Sequence, residues 1–223
     1  MKTQFLDFVL STVFLVILAL VSLFMTAFFV HPFTYALFSG FYVIADALVF
    51  LLVFGLLSAL ATRLILRMHP MNPGEYGMDD VMFTWWKLFT VIYEFGRGAL
   101  LPFTTVFAKP LVAKLFGASV GKDIALGGHL VDPQLISIGD EAIIGQGSVV
   151  TAHTITSGKL ILSPVFIHRN ATVGVNAVVM SGVSIGEGSV VTAGSVVPPD
   201  TKIPAMELWG GMPAKKIKSL GSV

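Results

Sequence analysis

Residues 167–209 read IHRNATVGVNAVVMSGVSIGEGSVVTAGSVVPPDTKIPAMELW, and an apolar residue returns at every sixth place. The series is Ile167, Val173, Val179, Ile185, Val191, Val197, Ile203 and Trp209. Four residues after each of the first six stands a small or β-branched residue: Ala171, Ala177, Val183, Ser189, Ser195 and Thr201. Glu207 breaks that second series. An α-helix repeats its apolar stripe at about 3.6 residues and a strand alternates at 2, so neither explains a period of six. A fixed short period marks a solenoid, whose units bury their apolar faces only by stacking. Six residues per unit predicts a parallel β-helix of triangular section, three hexads to a coil.

Ile138, Ile144 and Val150 extend the register backwards, with Gly139 and Gly145 after the first two. Val120 and Leu126 share it, although Asp132 interrupts. Residues 120–208 then make about five coils of about 18 residues. Between Val150 and Ile167 lie 17 positions rather than 18, and the loop 154–164 ignores the hexad rule. Function in a solenoid gathers at such an interruption, because the regular coils are occupied with stacking. His153 stands at its root, three places after Val150, where a side chain points out of the core. An exposed, oriented imidazole is what a general base requires.

The 223 residues are 55% apolar and only 12% charged, against the quarter usual in soluble domains, and the excess is uneven. Residues 1–62 hold three charged groups, Lys2, Asp7 and Asp46. Phe8 to Val30 is an uncharged run long enough to cross a hydrocarbon core of about 30 Å. His31-Pro32 is expected to end it, and Phe33 to Leu66 supplies a second span, which makes a transmembrane hairpin. The run is too long for a signal peptide and lacks a cleavage site. Lys2, Arg63 and Arg67 flank the spans on one side, so the solenoid is expected on the cytoplasmic face of the cell inner membrane. Asp46 falls mid-span, either as a functional group or as a hydrogen bond gluing helices beside Gly40, Ala45 and Ala47.

Val81, Trp85, Leu88, Phe89, Ile92 and Phe95 recur at helical spacing, and Trp85-Trp86-Lys87 suits the headgroup level. An interfacial helix lying along the membrane is expected, then a hydrophobic connector from Ala99 to Phe116 punctuated by Pro102 and Pro110. The organisation read from the chain is thus 1–70 hairpin, 71–116 interfacial helix and connector, and 117–223 β-helix. A net charge of +1 argues against nucleic acid, and the absence of cysteine excludes thiol nucleophiles and disulfides.

Three stretches carry a family resemblance: Asp132-Pro-Gln-Leu-Ile-Ser-Ile-Gly-Asp140, Val150-Thr-Ala-His153 and Trp209-Gly-Gly-Met-Pro-Ala-Lys-Lys-Ile217. With the hexads, residues 117–218 resemble the hexapeptide-repeat acyltransferases, the left-handed β-helix enzymes that include galactoside, maltose, serine and streptogramin acetyltransferases. With its helices included, the layout is similar to membrane-embedded C-terminal modules of nonribosomal peptide synthetases of the poly-lysine-synthetase kind. The resemblance implies an acyltransferase that uses acetyl-CoA or another acyl-CoA and no metal. His153 would be the catalytic base, with Asp132 either orienting it or serving only as a turn residue before Pro133. It implies a donor site at Ala193, Gly194, Ser195, Trp209, Gly211, Pro213 and Ala214, with Lys215 and Lys216 either meeting the phosphates or forming a solvated basic tail near the anionic membrane face. It also implies a homotrimer with active sites between subunits, acting on a small-molecule or lipid-linked hydroxyl or amine. Gly127 stands where the sugar acetyltransferases carry Asn, which puts a sugar acceptor of their type in doubt.

Two other classes remain open at this level. A γ-carbonic-anhydrase-like metalloprotein would need His129, His153 and His168 on one edge, but their separations of 24 and 15 do not stack at about 18 per coil. A non-catalytic trimeric membrane scaffold would leave His153 and the Gly-Gly-Met-Pro-Ala ending without a purpose.

Overall fold

A computed structural model describes residues 5–221. They form two compact units, residues 5–70 with 81–104, and residues 71–80 with 105–221. The three segments expected from the sequence therefore resolve into two. The helix expected to stand apart packs into the first unit, and the ten residues before it join the coils.

In the helical unit α1 (Phe5–Met25) leads through a π-turn (Thr26–Val30) into α2 (His31–Phe38). The chain reverses at Ser39–Phe41 and descends as α3 (Tyr42–Met68). His31-Pro32 thus does not end the first helix. Pro32 sits in the first turn of α2, where a missing N–H costs little, and the wide turn before it absorbs the mismatch. The reversal comes at Ser39, whose φ of 47° leaves the helical region. Ser22, Ser58 and Thr62 return their hydroxyls to carbonyls four residues back at 2.7–2.9 Å, so these polar groups are satisfied within apolar helices.

α4 (Val81–Leu100) corrects the interfacial reading. Near the start of α1, Asp7 accepts hydrogen bonds from Thr84 Oγ1 at 3.0 Å and from Lys87. His69, just past α3, stacks on Trp85 with ring centroids 3.9 Å apart. At the far end a Cβ on Gly55 would come within 2.4 Å of Leu100 Cγ and 3.0 Å of the Gly96 carbonyl. α4 therefore runs parallel to α1 and antiparallel to α3, lengthwise against both. Its stripe is covered in the middle, where Leu88, Phe89 and Ile92 are buried, while Val81 and Phe95 stay exposed, and Lys87 pairs with Asp7 instead of reaching a headgroup.

The second unit is a parallel β-helix with three faces. One face stacks Ser119–Val120, Ile136–Ile138, Val165–Ile167, Ser184–Ile185 and Lys202–Ile203. The next stacks Ala125–Leu126, Ile143–Ile144, Thr172–Val173, Val190–Val191 and Glu207–Gly211, and the third His129–Val131, Val149–Thr151, Val178–Val179 and Val196–Val197. The hexad residues Ile138, Ile144, Val150, Ile167, Val173, Val179, Ile185, Val191 and Val197 are all 3% exposed or less and form one column. Corner residues take the left-handed conformation every sixth position: Asn170, Asn176, Gly182, Gly188, Gly194, Asp200 and Met206. Those corners turn the chain from face to face, and Gly, Asn and Asp accept positive φ at least cost. α5 (Lys109–Leu115) begins the unit and places Ala113 in the core cluster beside the first coil.

Two registers differ from expectation. In the first coil the third-face core position belongs to Leu130, paired with Val150, and not to Asp132. Leu126, Leu130 and Ile138 are spaced four and eight apart instead of six and six, so the coil keeps its total length. The later break is not a shortfall of one residue. Ile138 pairs with Ile167, Ile144 with Val173 and Val150 with Val179, each twenty-nine apart instead of eighteen, so eleven extra residues enter at one corner. They form an antiparallel hairpin, His153–Thr156 against Lys159–Leu162. Ser157 and Gly158 turn it with φ of 47° and 75°, the two-residue geometry that matches strand twist.

Candidate functional site

His153 is the first residue of the inserted hairpin, one place beyond the buried Ala152. Asp132 ends the third face one coil earlier, in the left-handed conformation (φ 61°, ψ 59°) before Pro133. Because Val131 pairs with Thr151, the two corners stack, and His153 Nδ1 meets Asp132 Oδ2 at 2.5 Å. The carboxylate side chain is 3% exposed and the imidazole 22% exposed. A carboxylate that accepts a hydrogen bond from Nδ1–H orients the ring and leaves the lone pair on Nε2. Thr151 Oγ1 lies 3.3 Å from Nδ1 on the same edge. Such an arrangement can remove a proton from a hydroxyl or amine and stabilise the resulting imidazolium.

What surrounds this pair has little signal in the sequence. Thr154 and the buried Ser181 share a 2.7 Å hydrogen bond that ties the hairpin to the following coil. Gly74–Gly77, from the ten residues joining α3 to α4, adds a third strand to the hairpin through Lys159–Leu162. Glu75 and Lys159 add an exposed ion pair at 3.0 Å. Met71, buried, accepts from Gln134 Nε2 at 2.9 Å, two residues after Asp132. Four residues of Gly-Glu-Tyr-Gly between helices carry no periodic signal, whereas Ser157-Gly158 between apolar residues is a readable turn.

The residues assigned to the donor divide. Ala193 is exposed and Gly194 turns the corner at φ 67°. Ser195 is 1% exposed, and its hydroxyl bonds Thr192 at 2.8 Å and accepts from Gly211 N–H at 3.2 Å. It braces the turn from inside. The chain closes with Glu207–Gly211 paired antiparallel to Ala214–Ser219, and Ala214 is buried in the core. Trp209 packs against that core and donates Nε1 to Glu207 at 2.8 Å. Lys216 donates to the same carboxylate at 2.5 Å, so it is committed within the turn. These bonds, Lys216 first and Trp209 second, hold the Glu207 carboxyl below its ordinary value against the opposite effect of desolvation. Glu207, the misfit of the hexad series, is thus the anchor of the closing hairpin. Gly211, Pro213 and Lys215 stay at the surface.

Within one chain these two sets are not brought together. Ala193–Ser195 lie at the corner between the second and third faces, and His153 with Asp132 lies at the corner between the third and first. The other histidines stay apart from His153, with His129 on the third-face strand of the first coil and His168 near Ser184 on the first face. Among the described residues no group of three or more His, Asp or Glu could hold a metal ion.

The family model "hexapeptide repeat of succinyl-transferase" matches residues 136–152 and 164–199. The gap between these stretches coincides with the inserted hairpin. A delta-poly-L-ornithine synthetase of Acinetobacter baumannii (strain AB307-0294) is 26% identical over 162 residues, which is 72% of this chain and 12% of that protein. The chain therefore spans about an eighth of this relative. Among solved structures, a hexapeptide-repeat-containing acetyltransferase from Vibrio cholerae superposes with a TM-score of 0.51 at 20% identity, over 62% of this chain and 94% of that one. An acetyl coenzyme A complex of the hexapeptide-repeat acetyltransferase from Vibrio cholerae O1 biovar eltor is 29% identical over 48% of this chain and 62% of that one, with a TM-score of 0.44. The chain thus carries the hexapeptide repeat over these two stretches and shares the fold of the Vibrio cholerae acetyltransferase.

Proposed function

We propose that the protein transfers an acyl group, acetyl in the simplest case, from acyl-CoA to a hydroxyl or amine, with His153 as general base. His153 Nε2 takes the proton of the acceptor as its oxygen or nitrogen attacks the thioester carbonyl. The tetrahedral intermediate collapses, the C–S bond breaks, and the proton passes from the imidazolium to the departing CoA sulfur. Asp132 holds the imidazole in the required tautomer throughout. The observation that carries this reading is the 2.5 Å contact between His153 and Asp132 at the only long insertion into the described coils.

The donor reading rests on the resemblance of the closing turn, with the exposed Ala193, Gly211, Pro213 and Lys215 as its contacts. Because the dyad and this turn occupy different corners, transfer needs a second copy of the chain, and a homotrimer with sites between subunits supplies one. The helical unit anchors the assembly in the inner membrane with the β-helix on the cytoplasmic side. An 18-residue window within Asp7–Met68 reaches a mean hydropathy of 2.9 with only 17% of it buried, too little for the core helix of a soluble protein. The acceptor is a small or lipid-linked molecule.

The test is calorimetric titration of acetyl-CoA and CoA into the detergent-purified protein, followed by thiol release with a panel of primary amines and alcohols. Binding that survives His153→Ala, with thiol release that does not, supports the reading. Binding of neither donor nor product would sink it and leave a scaffold.

A further inference from the structure

A second histidine–carboxylate pair belongs to the helical unit. Asp46 on α3 accepts from His31 Nδ1 at 2.8 Å and from Thr34 Oγ1 at 2.5 Å. Tyr42 and Tyr35 pack their rings on the imidazole at 5.2 and 5.9 Å between centroids. The pair opens on a cavity of about 460 Å³ between α1 and α3, whose other walls include Leu23, Val43 and Phe50. Thr26 also lines it, buried at 4% exposure, and its hydroxyl has no partner among the described residues. Thr26 opens the π-turn, a local widening that recurs at functional sites.

The chemistry of this cavity selects its occupant. A carboxylate within apolar walls is costly unless a cation faces it. The one ionisable partner of Asp46 among the described residues is His31, which is cationic only when protonated. The acidic wall repels anions. A bare metal ion needs about six close oxygens around it, whereas the polar atoms here lie along one side of a large apolar space. An organic cation with an apolar tail satisfies both parts: the head meets Asp46 and the Thr26 hydroxyl, and the tail fills the rest.

We propose that this cavity binds a primary ammonium group carried on an apolar chain. The inference stands apart from acyl transfer and from His153. The ammonium can belong to a lipid headgroup or to a free alkylamine, and the chemistry of recognition is the same.

The experiment is saturation binding of radiolabelled dodecylamine to the full chain in phosphatidylcholine nanodiscs, with empty discs subtracted. The expected result is one saturable site per chain, weakened about tenfold or more in Asp46→Asn and measurably in Thr26→Val, with dodecanol failing to compete. Thr26→Val keeps side-chain shape and removes an unpaired buried hydroxyl, so it reports on binding even where Asp46→Asn fails to fold. Equal affinity in folded Asp46→Asn, unchanged affinity in Thr26→Val, or equal competition by dodecanol would each overturn the proposal. Competition by phosphatidylethanolamine in the disc would identify a lipid source, and its failure beside intact dodecylamine binding a free amine. Both results uphold the site.

Discussion

Gly74 and His153 face each other across a single residue, Leu162, which pairs with both in a three-stranded antiparallel sheet. At a strand spacing of about 4.8 Å their backbones lie roughly 10 Å apart. The link between α3 and α4 thus holds the hairpin that bears the imidazole, and through Met71 it also touches Gln134 beside Asp132.

That clamp predicts a rate effect without a donor effect. Alternate residues of an edge strand point their N–H at the neighbouring strand, so proline at Glu75 or at Tyr76 breaks the ladder in one of the two cases. The expected outcome is a kcat lowered about tenfold or more in that variant, with KM for acetyl-CoA unchanged. A purely structural role would instead lower the thermal midpoint and weaken acetyl-CoA binding.

Asp132→Asn keeps the size of the side chain and removes the charge that orients His153. Loss of kcat by about a hundredfold or more is expected, as for other His–carboxylate dyads that lose their tautomer. Calorimetric affinity for CoA should stay at the wild-type value.

Removing residues 154–164 joins His153 to Val165 and restores six-residue spacing between Val150 and Ile167. The shortened chain should keep its β-sheet circular dichroism and its affinity for CoA, because the coils stack without the hairpin. It should transfer nothing, because the imidazole loses its strand.

Glu207 makes the closing hairpin acid-sensitive. Its carboxyl lies below the ordinary value of 4.5 in the folded chain, so the folded state binds the proton less readily than the unfolded one. The stabilisation is complete above about pH 4.5 and disappears as pH falls through the folded value. Thermal unfolding of the wild type should lose ground in that acid range, whereas Glu207→Gln starts lower at neutral pH and loses less.

Gly55 sits where a Cβ would strike Leu100. Gly55→Leu should destabilise the helical unit by about 1–3 kcal/mol, read as a lower midpoint in detergent, with donor binding by the coils retained.

How far the sequence foretells this molecule depends on what each residue is set by. The hexads from Ile138 onward are legible because stacking holds each inward side chain to one place. The left-handed ladder from Asn170 to Met206 is legible too, as Asn, Gly or Asp at all six of its positions up to Asp200, though the sixfold apolar series draws the eye first. Leu130 hides because the first coil shortens one face and lengthens the next, leaving its total unchanged. The hairpin hides because seventeen resembles eighteen, although Ser157-Gly158 marks a turn. Pro32 reads as a stop only while the preceding turn is taken as an ordinary α-helix. The aromatic stripe of α4 declares an apolar face but not its cover, which α1 and α3 provide. His153 is visible as the residue at the break. Its contact with Asp132 requires the register, which only the folded coil supplies.

Were transfer to run as proposed, the separate corners of the dyad and the closing turn would make it divisible between genes. Where sites form between neighbours in a trimer, a chain without His153 still contributes a sound turn, and a chain with a broken turn still contributes a sound dyad. Two inactive variants expressed together should then regain about a quarter of the sites by random assembly, whereas a site built within one chain would regain none.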